Sequence, residues 1–173
     1  QALTGTGLLS KDGNGILILH HAENTYTGPP FVAAGTLQVD GSLTHTASVI
    51  VQDGATLTGG GTITNGVIVN SGGILAPGQT DAPIAPFSLG SLLWNGGGIL
   101  EFNVGTDTDH LQLDGTFTKG SPGDYIFNFI PDAGFGSGEY DLITFNGSTN
   151  FAVEDFSLTG LDPETWGFRF NGP

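Results

Sequence analysis

Ser48 to Gly78 reads SVIVQDGATLTGGGTITNGVIVNSGGILAPG, and one phrase occurs in it twice. VIVQDGATLTG at 49–59 returns as VIVNSGGILAP at 67–77. Val49, Ile50, Val51, Gly54 and Leu57 fall on Val67, Ile68, Val69, Gly72 and Leu75, each eighteen residues on. At about 3.3 Å per strand residue, two or three short strands and their corners close one coil in that length. The next coil lies about 4.8 Å away, parallel and hydrogen-bonded to the first. Ile50 should then stack on Ile68 and Leu57 on Leu75. One coil has nothing but its neighbours to cover its inward side chains, so such coils exist only as a stack. Glycine belongs at the corners, where the backbone turns to positive φ.

The rest of the chain agrees with a turn-rich all-β protein. Of 173 residues 30 are Gly, more than twice the usual share of about 7%. Disorder also enriches glycine, but disordered chains lack the apolar residues that make up 38% here, 12 Phe among them. Helical spacing is not sustained anywhere. Runs such as GILIL at 15–19, GTLQV at 35–39 and GTIT at 61–64 are bounded by Gly, Asn, Asp or Ser, the punctuation of short strands. With 17 acidic and 3 basic residues the net charge is −14, which makes nucleic acid and anionic lipid poor partners. There is no cysteine, hence neither disulfide nor thiolate metal site. No apolar run reaches the length of a membrane-spanning helix, so no transmembrane segment is expected. The start at Gln1 without Met reads as a processed or excised chain.

Residues 1–101 read as parallel coils, interrupted by a proline-rich loop at 76–90. From about 102 to 173 the style changes. DYIFNFI at 124–130, EYDLITF at 139–145 and WGFRF at 166–170 read as longer strands with aromatic alternation. Alternation suits antiparallel strands with one buried face, so this region is expected to be partly antiparallel and to cap the solenoid or continue it.

Gly15-Ile16-Leu17-Ile18-Leu19, Asn24-Thr25-Tyr26-Thr27-Gly28 and Gly35-Thr36-Leu37-Gln38-Val39 together resemble the passenger-associated strand repeat of bacterial autotransporters. LTGGGTITNGVIVNSGGILAPG at 57–78 is similar to the coils that commonly follow that repeat. Pro29-Pro30 departs from the Gly and Thr usual in the family, and no translocator barrel accompanies the repeat in this sequence. The resemblance implies a right-handed parallel β-helix at the outer cell surface or outside a bacterium, as an excised module or a small exported protein that reuses the repeat. The motif is structural and transfers no catalytic residue.

A β-helix enzyme acting on polysaccharide needs two or three acids, or a base beside acids, on adjacent coils of one face. The eighteen-residue offset sets Asp53 over Ser71, and Asp40, Asp81 and Glu101 share no register. The chain is therefore expected not to be an enzyme, and no cofactor is expected. Asp107 and Asp109 in GTDTDHLQLDG would share one face of a strand and are weak calcium candidates. Trp94, in a glycine-rich coil beside Asn95, is the candidate for stacking on a sugar ring. A stack of coils ends in unpaired edges. Leu3, Leu8 and Leu9 at one end and Trp166, Phe168 and Phe170 at the other are the candidates for end-to-end or strand-exchange self-association. Surface glycans or proteins are the alternative partners. The expected role is an exported structural solenoid (scaffold, adhesin stalk or filament subunit), with a carbohydrate-binding module as the second reading and a polysaccharide-degrading enzyme as the third.

Overall fold

The computed structural model describes residues 1–78 and 85–170. Short strands follow one another with tight corners between them. The first coils are built from β1 (Leu9–Lys11), β2 (Ile16–Leu19), β3 (Pro30–Val32), β4 (Gly35–Val39), β5 (Ser42–Leu43), β6 (Val49–Val51), β7 (Ala55–Gly59), β8 (Thr62–Val69) and β9 (Ile74–Pro77). The later ones comprise β10 (Phe87–Trp94), β11 (Ile99–Val104), β12 (Leu111–Leu113), β13 (Phe117–Lys119), β14 (Tyr125–Pro131), β15 (Ile143–Phe145) and β16 (Phe156–Thr159). One sheet runs β2-β4-β7-β9-β11-β14-β16, and the other β1-β3-β6-β8-β10-β12-β15, with β5 beside β8 and β13 beside β10. The chain is a parallel β-helix.

The second sheet bends. In β8 both Ile63 and Val67 are buried, whereas Asn65, which strict alternation would turn inward, is exposed. The register of β8 against β10 shifts between Leu89 and Ser91. Each of these two strands thus turns a corner in mid-course, and the coil has three faces.

The repeat is realised as stacked registers. Val49, Ile50 and Val51 lie beside Val67, Ile68 and Val69, and Leu57 lies beside Leu75. The inward column continues as Leu17, Leu37, Leu57, Leu75, Leu100, Phe127 and Leu158, seven side chains on seven successive coils. The corner glycines form a column too. Gly54, Gly72 and Gly97 have φ of +70°, +75° and +83°. The N–H of Gly54 donates to the carbonyl of Gly72, and that of Gly72 to Gly97. A Cβ on Gly72 would meet Asp53 Oδ1 at 1.9 Å, so both handedness and space require glycine there.

The coil is twenty residues from Leu17 to Leu37 and from Leu37 to Leu57, tightens to eighteen, and then lengthens along the stack. Leu57 and Leu75 are eighteen residues apart, Ile74 and Ile99 twenty-five, Ile99 and Ile126 twenty-seven, and Tyr125 and Phe156 thirty-one. Side chains grow in step. Val32, Val51 and Val69 lead to Trp94 in one column, and Val49, Val67 and Leu92 lead to Phe117 in another.

Two expectations need correction. Among the described residues the aromatic C-terminal region contains no antiparallel ladder: β14, β15 and β16 each pair parallel with the coil before. Alternation of Tyr125, Phe127 and Phe129 reports one buried face, and a solenoid strand has that as surely as a hairpin does. The insert is also narrower than 76–90. Ala76 and Pro77 end β9, and β10 starts at Phe87, leaving 79–84 outside the described residues. Both sheets continue past residue 101, since β11 pairs with β9 on one side and β14 on the other, and in the second sheet β10 pairs with β12.

Leu57→Ala should destabilise the protein by about 2–5 kcal/mol, the cost of a core cavity. Its outward neighbour Thr56→Ala should cost less than about 0.5 kcal/mol. Urea unfolding of the two variants checks the inward register.

Candidate functional site

The first coils are tied by polar side chains turned inward. Asn24 is buried; its Oδ1 accepts from Leu3 N–H at 2.8 Å, and its Nδ2 donates to the carbonyls of His21 at 3.0 Å and Ser42 at 2.7 Å. One side chain thereby links three successive layers of chain. The buried Tyr26 hydroxyl donates to the Gly7 carbonyl. Lys11 is buried as well, with no carboxylate partner among the described residues; its ammonium donates to the carbonyls of Asp12, Gly13 and Ala34 at 3.1, 2.7 and 2.9 Å. Three donors meet three acceptors, which satisfies the group where burial would otherwise be costly. The residue type gives no warning of burial, because Lys is rarely inside. Asn24 and Tyr26 stand in the segment singled out by resemblance, and their role is to hold coils together.

Trp94 is not a sugar platform. It is 0% exposed, within a cluster of rings that includes Phe117, stacked at 6.2 Å, and Phe127, edge-on at 5.3 Å. Its indole N–H has no hydrogen-bond partner among the described residues. The glycine-rich setting that drew attention to it belongs to the corner beside it, while the residue itself ends the valine column on the inside.

Asp107 and Asp109 do not converge as calcium ligands. Residues 105–110 form a corner between β11 and β12 instead of a strand, so period-two alternation does not apply. Asp109 is turned inward, 4% exposed, and its Oδ2 accepts from both the N–H and the Nδ2 of Asn103 at 2.8 Å. Burial pushes its carboxyl up from the ordinary 3.8, against the pull of those Asn103 bonds. Asp107 is exposed, and the corner is occupied by Asp132 of the following coil, whose carboxylate accepts from the N–H groups of Thr106 and Asp107. Among the described residues no three His, Asp or Glu gather as a metal cluster.

The outermost strands at both ends, β1 and β2 at the first coil and β15 and β16 at the last, pair on one side only, and the ends differ in what lies over them. The N–H of Leu9 and the carbonyl of Lys11 point to the β3 coil; by strand alternation those of Ser10 point away. Gly15 and Leu19 carbonyls likewise serve the β4 coil, which leaves Ile16 and Ile18 to present backbone groups outward. Leu8 is 68% and Ile16 64% exposed. Leu9 lies in this edge, whereas the Leu3 N–H is already taken by Asn24.

At the other end, Trp166 to Phe170 form no strand. They fold over the last coil instead: Phe168 packs on Phe127 at 4.7 Å, Phe170 on Phe156 at 6.0 Å, and Trp166 on Phe135 at 4.9 Å. Alternating aromatics here pack on the rings of the last coil, while β15 and β16 beneath them keep one side unpaired. Lys119 and Asp155 bridge two coils at this end, Nζ to Oδ2 at 2.8 Å. Asp155 also accepts from the Ala152 N–H at 2.7 Å.

The Ala152 N–H and then Lys119 hold Asp155 below its ordinary 3.8. A depressed carboxyl stabilises the fold above its ordinary value, and that contribution is lost as pH falls through the folded-state value. Asp155→Asn should therefore lower the melting temperature at neutral pH, and the gap to the wild type should close as pH falls below the ordinary carboxylate range. Asn24→Ala, which removes the side-chain partner of the Leu3 N–H and of the His21 and Ser42 carbonyls, should cost about 1–3 kcal/mol in urea unfolding at any pH.

No curated protein matches this chain. Residues 9–39 match the family described as Passenger-associated-transport-repeat. The matched segment begins at the Lys11 edge strand and contains Asn24, Tyr26 and β4. Residues 9–39 of this β-helix therefore carry a passenger-associated-transport-repeat, consistent with an autotransporter passenger.

Proposed function

We propose that this chain is a non-enzymatic structural module, exported to the bacterial surface or extracellular matrix, whose open end associates with a second copy. The single observation that carries the reading is the first coil. Its two strands have unpaired outward backbone groups, and exposed Leu8 and Ile16 lie beside them. Unpaired strand edges add strands readily, because backbone hydrogen bonds need little sequence specialisation. The repeat at 9–39 supports the export half of the reading.

Build and charge fit this role. Each coil exists to cover the next, so length is added without redesigning a core. A charge of −14 keeps chains apart in solution except where backbone pairing and apolar contact outweigh it. Aromatic side chains of 166–170 lie over the last coil, whereas the first coil leaves Leu8 and Ile16 exposed, so association is assigned to the first coils, two-fold and edge to edge, giving a dimer.

Sedimentation across a wide concentration range should show a dimer, and electron microscopy should show rods of doubled length. Ser10→Pro and Ile18→Pro remove only outward-facing N–H groups, so each should abolish the dimer and leave the melting temperature nearly unchanged. A monomer at every concentration would sink the assembly reading.

A further inference from the structure

The thirty-one-residue coil encloses more than its side chains fill. Where coils are short, Val and Leu columns are fully buried; at the next turns Trp94, Phe102 and Phe117 take over and are still buried. At the last turn Ile143, Phe145, Phe156 and Leu158 are only partly buried. Between them and the segments that fold over the end lies a cavity of about 1150 Å³, lined by Phe127, Phe129, Phe145, Leu158, Trp166 and Phe168 among others. The cavity opens to solvent on one side, past exposed Thr144, Asn146 and Phe170. Water in an apolar-walled space finds few hydrogen-bond partners, whereas an apolar guest restores the missing dispersion contacts.

The polar groups at this cavity narrow the guest. Arg169 is the only Lys or Arg lining it, and its guanidinium is paired with Glu139 of the opposing segment. An anionic guest would find no cation to spare and would meet a chain of net charge −14. We infer that this cavity is a binding site for a free, uncharged apolar organic molecule, with a hydrocarbon chain or a ring system that lies against the phenylalanines. It is large enough, since small-molecule pockets commonly run about 300–1000 Å³. Trp166, in the wall, makes occupancy visible by fluorescence. The site is independent of the open first coil, because it lies at the opposite end of the stack.

The test uses the whole chain and N-phenyl-1-naphthylamine, a neutral fluorescent probe. Saturable enhancement at one probe per chain is expected, with quenching of tryptophan emission and displacement by 1-decanol but not by glucose. Leu161→Trp, which fills the cavity from its lining, should weaken binding at least about tenfold by steric exclusion. Leu142→Trp fills it from another part of the lining and serves if the first variant does not fold. Leu8→Ser, at the far end, should leave binding unchanged. Absence of saturable binding would overturn the inference, as would binding that survives both filling variants or is lost in Leu8→Ser. Pelleting with phosphatidylcholine vesicles in place of displacement by decanol would assign the chemistry to a membrane and overturn the free-ligand form. A dimer broken by Phe170→Lys, with no probe binding, would mean that a second copy covers the cavity, and would also overturn it.

Discussion

Each strand of this molecule is held by the requirement that the chain come back, one coil later, to a position where its backbone can bond to itself. Parallel ladders do not tolerate a slip of one residue, because a slip turns every inward side chain outward. The column from Leu17 to Leu158 is the visible result. It holds over coils of different length because length is added at corners and not within strands. The stacked glycines at 54, 72 and 97 mark one such corner, where the same left-handed backbone recurs and each amide bonds to the next layer.

The second organising fact is the taper. A closed coil encloses an area that grows faster than its perimeter, so a lengthening turn demands bulkier side chains to fill it. The sequence answers with valine giving way to tryptophan in one column and to phenylalanine in another. Aromatic content at one end is thus a filling requirement of geometry. The same requirement draws Phe168 and Phe170 back over the last rings, where β15 and β16 keep one unpaired side as β1 and β2 do at the first coil.

Much of this could be read before the fold was seen, and the limit is physical. Val49 against Val67 and Leu57 against Leu75 are legible because identical layers repeat identical residues. The C-terminal coils were misread because lengthening destroys the fixed offset, and alternation alone does not say which way a neighbouring strand runs. Trp94 was misplaced because a glycine-rich corner resembles an exposed platform, although the residue next to it continues a valine column inward. Asp107 and Asp109 were paired by a strand rule in a corner. Lys11 was missed for a different reason: its partners are carbonyls, and carbonyls leave no trace in a sequence.

The three basic side chains are all engaged within the molecule. Lys11 is enclosed by carbonyls, Lys119 reaches Asp155 and Arg169 reaches Glu139. Proteases of the trypsin type must draw such a side chain into an acidic pocket of their own and straighten the backbone around it. At Lys11 and Lys119 that backbone is already a strand bonded to the neighbouring coil. Digestive attack is therefore confined to Arg169, beyond the last strand, where cutting trims the seal and leaves the stacked body whole.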